Sequence, residues 1–152
     1  MVGGCAAQKD KELVRKKAPW VDVVLGTHNL TNVINLLNQA EDWGPITEIL
    51  DEISNMPTDA PSIRESQYSA WLTIQIGCNN SCTFCIVPSV RGEEISRRPA
   101  DIVNEAKQLV QEGVKEITLL GQNVNSYGRD LRIDGKARPY FAQLLEKLNE
   151  IE

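Results

Sequence analysis

Cys78, Cys82 and Cys85 fall within eight residues, in the run Gly77-Cys78-Asn79-Asn80-Ser81-Cys82-Thr83-Phe84-Cys85, between a strand pattern and a helix pattern. Upstream, Leu72, Ile74 and Ile76 alternate with polar neighbours across Ala70 to Ile76, which predicts one strand. Downstream, Pro99 stands at a favoured first-turn position, and Ile102, Val103, Ala106, Leu109 and Val110 share one helical face. Gly113 is the C-cap candidate. Lys115 to Leu120 is mostly apolar and reads as a buried strand, which Gly121 stops. Strand, loop, helix and strand in that order predict parallel βα architecture. In such folds the cysteine loop and the Gly121 loop emerge at one carboxyl-end face, where ligands bind.

Three thiolates from one loop can hold three irons of a cubane cluster and leave the fourth iron open. An open iron can bind a small molecule and pass it an electron, whereas a closed four-cysteine site mainly transfers electrons. The competing readings fit less well. Zinc usually wants four ligands in paired units, and the other candidates, Cys5 and His28, lie in a different region. A disulfide within the run closes only a small strained loop, and no secretory segment suggests an oxidising compartment. A ferredoxin-like electron carrier normally shows a fourth cysteine in or soon after the run.

The first third reads as part of an α/β domain. Gly4-Cys5 ends a strand, Lys9 to Lys17 forms a short charged helix, and Val21 to Leu25 forms a strand that Gly26 ends. Thr27 is placed to cap a helix with Leu30, Val33, Ile34 and Leu37 on one face. His28, the only histidine, has no carboxylate or cysteine nearby in sequence and reads as a surface or packing residue. Ile46 to Ile53 suggests one or two turns of helix, and the proline-containing remainder of Asp42 to Gln67 reads as a linker.

At 152 residues, 41% hydrophobic and 24% charged, the chain has an ordinary soluble composition. No apolar run approaches the ~20 residues of a membrane span. Clustered cysteines fit a reducing, cytoplasmic compartment. A net charge of −5 gives no global attraction for nucleic acid. Arg91, Arg97 and Arg98 offer local positive charge, with pairing to Glu93 and Glu94 or simple solvation as the alternative.

The three cysteines, with aromatic Phe84 before the last of them, resemble the radical S-adenosylmethionine (SAM) signature. The longer stretch GCNNSCTFCIVPSVRGEEISR, Gly77 to Arg97, is similar to the methylthiotransferases of that superfamily. Val2 to Gln8, VGGCAAQ, is similar to the third-cysteine segment of their amino-terminal domain. Leu119 to Tyr127, LLGQNVNSY, resembles the tRNA-2-methylthio-N(6)-dimethylallyladenosine synthase branch. The branch acting on a ribosomal-protein aspartate carries a different sequence there, although Tyr127 to Leu131 is compatible with it.

The resemblance implies two [4Fe-4S] clusters and SAM as cofactors. Cys78, Cys82 and Cys85 would ligate the radical cluster, and Cys5 would be one of three ligands to the second. Phe84 would set its backbone near the SAM adenine, and Gly121, Gln122 and Asn123 would meet the SAM amino group; the alternatives are core packing for Phe84 and an ordinary turn for the loop. The implied reaction is cleavage of SAM to a 5′-deoxyadenosyl radical, hydrogen abstraction from C2 of N(6)-isopentenyladenosine beside the tRNA anticodon, and insertion of sulfur and methyl. The implied partner is tRNA; the electron donor is unspecified and no membrane is involved.

The fold expected from this resemblance is α/β. Residues 1–53 correspond to the carboxyl-terminal part of the methylthiotransferase amino-terminal domain and 54–67 to a linker. Residues 68–152 correspond to the first βα units of a partial TIM-like radical SAM barrel. The family's two earlier cysteines, its later βα units and its β-rich RNA-binding domain have no counterpart here. The expectation is therefore a fragment of a protein about three times longer, inactive alone and with tRNA contacts mostly elsewhere. Its open sheet edge is an aggregation risk.

Overall fold

The computed structural model describes residues 1–51, 64 and 66–151. Its contacts divide the chain into two compact units, Met1–Pro57 with Asn80–Gly92, and Thr58–Asn79 with Glu93–Glu152.

The first unit is built on a parallel sheet of β1 (Val2–Gly3), β2 (Val23–Leu25) and β3 (Ile46–Glu48), ordered as in the sequence. All three residues of β2 are buried, as a central parallel strand requires. Ile46 to Glu48 is thus a strand where helix was expected. Beside β2, the unpaired edge outweighs the weak local preference of a short segment. The charged segment after Cys5 forms two helices, α1 (Cys5–Asp10) and α2 (Glu12–Lys17), because Lys11 takes a φ of 45° between them.

Helix α3 (Val33–Trp43) follows a 3₁₀ turn over Leu30–Asn32. It buries Leu36, with Val33 and Ala40 beside it, against Val23 and Leu25. The face expected from Leu30, Val33, Ile34 and Leu37 is displaced: Leu30 and Ile34 are 58% and 64% exposed. A 3₁₀ turn advances three residues per turn, so Leu30 does not share the phase of the α-helix that follows. Thr27 caps nothing; its hydroxyl donates to the Val90 carbonyl at 2.6 Å.

In the second unit β4 (Ser69–Thr73) pairs in parallel with β7 (Glu116–Leu120), Ser69 opposite Glu116 and Thr73 opposite Leu120. The short β5 (Gln75–Ile76) pairs antiparallel with β6 (Ile95–Ser96). The single strand expected over Ala70 to Ile76 is therefore two. Ile74, at the joint, donates its N–H to the Leu120 carbonyl and accepts from the Arg97 N–H, both at 2.9 Å. The chain stays extended but changes partner.

Helix α5 (Pro99–Gln111) packs Ile102 and Ala106 against Leu72, Ile74 and Tyr127, with Leu144 of α6 (Phe141–Asn149) closing the cluster. Strand β7 was expected to be buried, yet Glu116 and Thr118 are exposed. Among the described residues β4 is its only ladder partner. Helix α5 ends with the N–H of Val114 on the Leu109 carbonyl and that of Gly113 on Val110, while Leu109, Val114 and Ala70 pack together. These two hydrogen bonds with the apolar contact require a left-handed residue, here Gly113 at φ 92°.

Gly113→Ala should therefore lower stability by about 1–2 kcal/mol, read from urea unfolding. An unchanged midpoint would refute this account of the helix end.

Candidate functional site

Several polar side chains of the second unit are linked around β5, β6 and the loop after β7. Gly77, at φ 71°, leads out of β5 into the cysteine loop, and Cys78 is buried. The Asn79 side-chain oxygen accepts the Glu94 N–H at 2.9 Å, fastening the start of the loop to the start of β6. Gly121, Gln122 and Asn123 follow β7 directly. The Asn123 carbonyl accepts the Ser126 N–H at 3.0 Å and the Gln75 side-chain N–H at 2.8 Å. The Ser126 hydroxyl lies on the buried Glu94 carboxylate. On β6, Ser96 donates its N–H to Asp130 at 2.8 Å, and its Oγ accepts from the Gly128 N–H at 2.9 Å.

Sequence reasoning missed Gln75, Glu94, Ser96 and Ser126, all nine-tenths or more buried. For Gln75 the legible signal was its place between Ile74 and Ile76, since a polar residue in such a run is rarely buried without a partner. Tyr127 was also missed as core. It is wholly buried, its hydroxyl donates to the Arg97 carbonyl at 2.8 Å, and burial, then the Asp130 charge, pushes its phenol well above the ordinary value. Arg97 is neither solvated nor paired with Glu93 or Glu94. It is 7% exposed, bonded to the Thr73 carbonyl at 2.9 Å and to Glu105 at 2.6 Å. Arg98 is exposed at the N-cap of α5.

In the first unit, the Cys85 N–H bonds to the Cys82 carbonyl at 3.1 Å, a turn with Phe84 at its tip. Phe84 is 94% exposed, so core packing does not hold it there. Cys5 opens α1 directly after Gly4, whose φ is 89°. Its sulfur accepts from the Arg91 Nε at 3.4 Å, so Arg91, exposed at the end of α4 (Val87–Arg91), pairs with this thiol rather than with Glu93 or Glu94. His28 sits partly buried with no partner on Nδ1. Burial lowers its pKa below 6.5, and the Asp51 charge opposes the shift.

All four cysteines are free thiols. Among the described residues no three His, Cys, Asp or Glu side chains are gathered into a metal-holding group. Three thiols on a loop without regular structure from Gly77 to Ile86 are the right donors for iron.

Two outcomes check this description. Ser126→Ala should cost about 1–3 kcal/mol in urea unfolding, because it strips the donor from a buried carboxylate; a neutral result contradicts the network. A folded-state His28 pKa below 6.5 means that unfolding takes up a proton as pH falls. The first unit should therefore lose stability as pH drops from 7.5 to 5.5, and His28→Asn should flatten that slope.

Residues 72–152 match the radical SAM superfamily. Along 99% of its length the chain is 52% identical to the tRNA-2-methylthio-N(6)-dimethylallyladenosine synthase of Corynebacterium efficiens. It is 53% identical to that of Mycobacterium leprae, again over 99% of its length. The chain spans 29% and 30% of the lengths of these two relatives. No helix among the described residues is long and apolar enough to cross a membrane.

Proposed function

The chain belongs to the radical SAM superfamily, and on that premise we propose that it carries cofactor-binding loops of a tRNA methylthiotransferase. The substrate position is C2 of N(6)-isopentenyladenosine beside the anticodon, and the setting is the cytoplasm. The observation that carries this reading is the placement of the two loops. The three-thiol loop follows β5, and Gly121 to Asn123 follow β7, whose parallel partner β4 runs straight into β5. The names of the relatives support the tRNA branch over the ribosomal-protein branch.

In this reading Cys78, Cys82 and Cys85 hold a [4Fe-4S] cluster, and Cys5 belongs to a second one. When bound, a cluster with one open iron supplies the electron that cleaves SAM. The protein's own residues do the rest. Asn79 tethers the loop entrance, Gly121 to Asn123 receive the amino end of SAM, and the backbone at Phe84 lies toward the adenine. Residues 68–152 form part of a radical SAM barrel, residues 1–53 belong to the methylthiotransferase amino-terminal domain, and the segment between them is a linker, mostly outside the described residues.

Anaerobic iron–sulfur reconstitution followed by electron paramagnetic resonance of the reduced protein tests this. The signal should shift on addition of SAM. Alanine at Cys78, Cys82 or Cys85 should abolish the shift, and Cys5→Ala should preserve it. A cluster indifferent to SAM would favour a simple electron carrier.

A further inference from the structure

Gln75 is an unusual residue for its place. It lies in β5, 1% exposed, between the apolar Ile74 and Ile76. A primary amide so deeply buried is unfavourable unless its groups are satisfied. Its Nε2 is satisfied by the Asn123 carbonyl at 2.8 Å, and its Oε1 has no partner in the protein. The acceptor at Asn123 also fixes which way the amide faces, since the reverse orientation would oppose two oxygens.

The Asn123 carbonyl has three donors nearby: Gln75, the Ser126 N–H and the Ser126 hydroxyl. A carbonyl offers two lone pairs, and a hydroxyl has one proton. The Ser126 proton goes to the Glu94 carboxylate, the charge-assisted and therefore stronger choice. Gln75 and the Ser126 N–H then fill the carbonyl. The fit on the other side is equally close. A Cβ on Gly121 would stand 2.7 Å from Gln75 Cγ and 3.2 Å from Cδ, so the Gln75 side chain occupies the space that Gly121 leaves. One side chain thus supports Gly121 by contact and Asn123 by hydrogen bond.

We infer that Gln75 is a positioning residue that sets the conformation of the Gly121–Asn123 loop. This rests on the function proposed above, where that loop receives the amino end of SAM. Gln75 acts through the loop, and its free Oε1 gives the same floor one further acceptor for a donor group of the ligand.

The test uses the whole chain, reconstituted anaerobically, in three forms: unaltered, Gln75→Leu and Gln75→Met. Leucine and methionine both keep most of the bulk and remove the donor, methionine with the unbranched shape of glutamine. Two readouts are needed. One is SAM titration followed by the paramagnetic signal; the other is amide hydrogen exchange across residues 121–126, with α5 as internal reference. The expected result is SAM binding about tenfold weaker in both variants, the equivalent of one lost hydrogen bond. Exchange should be faster in 121–126 and unchanged in α5, with the unaltered iron content retained.

Wild-type SAM affinity and exchange in both variants would overturn the inference. Faster exchange in α5 as well would also overturn it, because that marks general destabilisation. If the unaltered chain itself ignores SAM, the functional reading fails separately. Exchange then decides alone: local acceleration supports the positioning role, and its absence overturns it.

Discussion

The parallel pairing of β4 with β7 is the constraint on which the second unit depends. Five residue pairs in register, Ser69 with Glu116 through Thr73 with Leu120, send both chains out at the same end. The seat of Gly121 beside the Gln75 side chain follows from that register. Slipping it by one residue would turn Leu72 away from Ile102 and Ala106 and carry Gly121 off the Gln75 side chain. The ladder carries on at Ile74, which still donates to Leu120 before the chain turns to pair with β6. Core packing and loop placement are therefore two results of one strand pairing.

Much of this was legible in the sequence because it depends on local chemistry. Helix α5 has Pro99 at its start, Gly113 after its end and a clean apolar stripe between, and all three signals act within a few residues. The three-cysteine motif was legible for the same reason, since its thiols come from one short loop. What was not legible depends on distant partners. Ile46 to Glu48 become a strand only because β2 offers an edge. Ala70 to Ile76 divides only because β6 returns to meet Gln75 and Ile76. Leu30 was assigned to the inward face of α3 because a 3₁₀ turn, invisible to an apolar count, precedes the helix.

The candidate site shows the same division. The thiols and the Gly121 loop were identifiable one residue at a time. Gln75, Glu94 and Ser126 acquire meaning only together, because each satisfies a group on another element. In the sequence Arg97 reads as local positive charge, paired with Glu93 or Glu94 or solvated. In the fold its guanidinium, with Glu105 and the Thr73 carbonyl, braces the passage from β6 into α5. The acidic balance of the chain, −5 overall, gives it no global attraction for a polyanion.

The central claim is that three thiolates of one loop leave a cluster iron free for SAM. Mössbauer spectroscopy of the chain reconstituted with ⁵⁷Fe, with and without SAM, measures that iron directly. The account predicts that about one quarter of the iron absorption moves to the parameters of a higher-coordinate site when SAM is added, as one open iron in a four-iron cubane requires. Four irons that remain equivalent in the presence of SAM would contradict it.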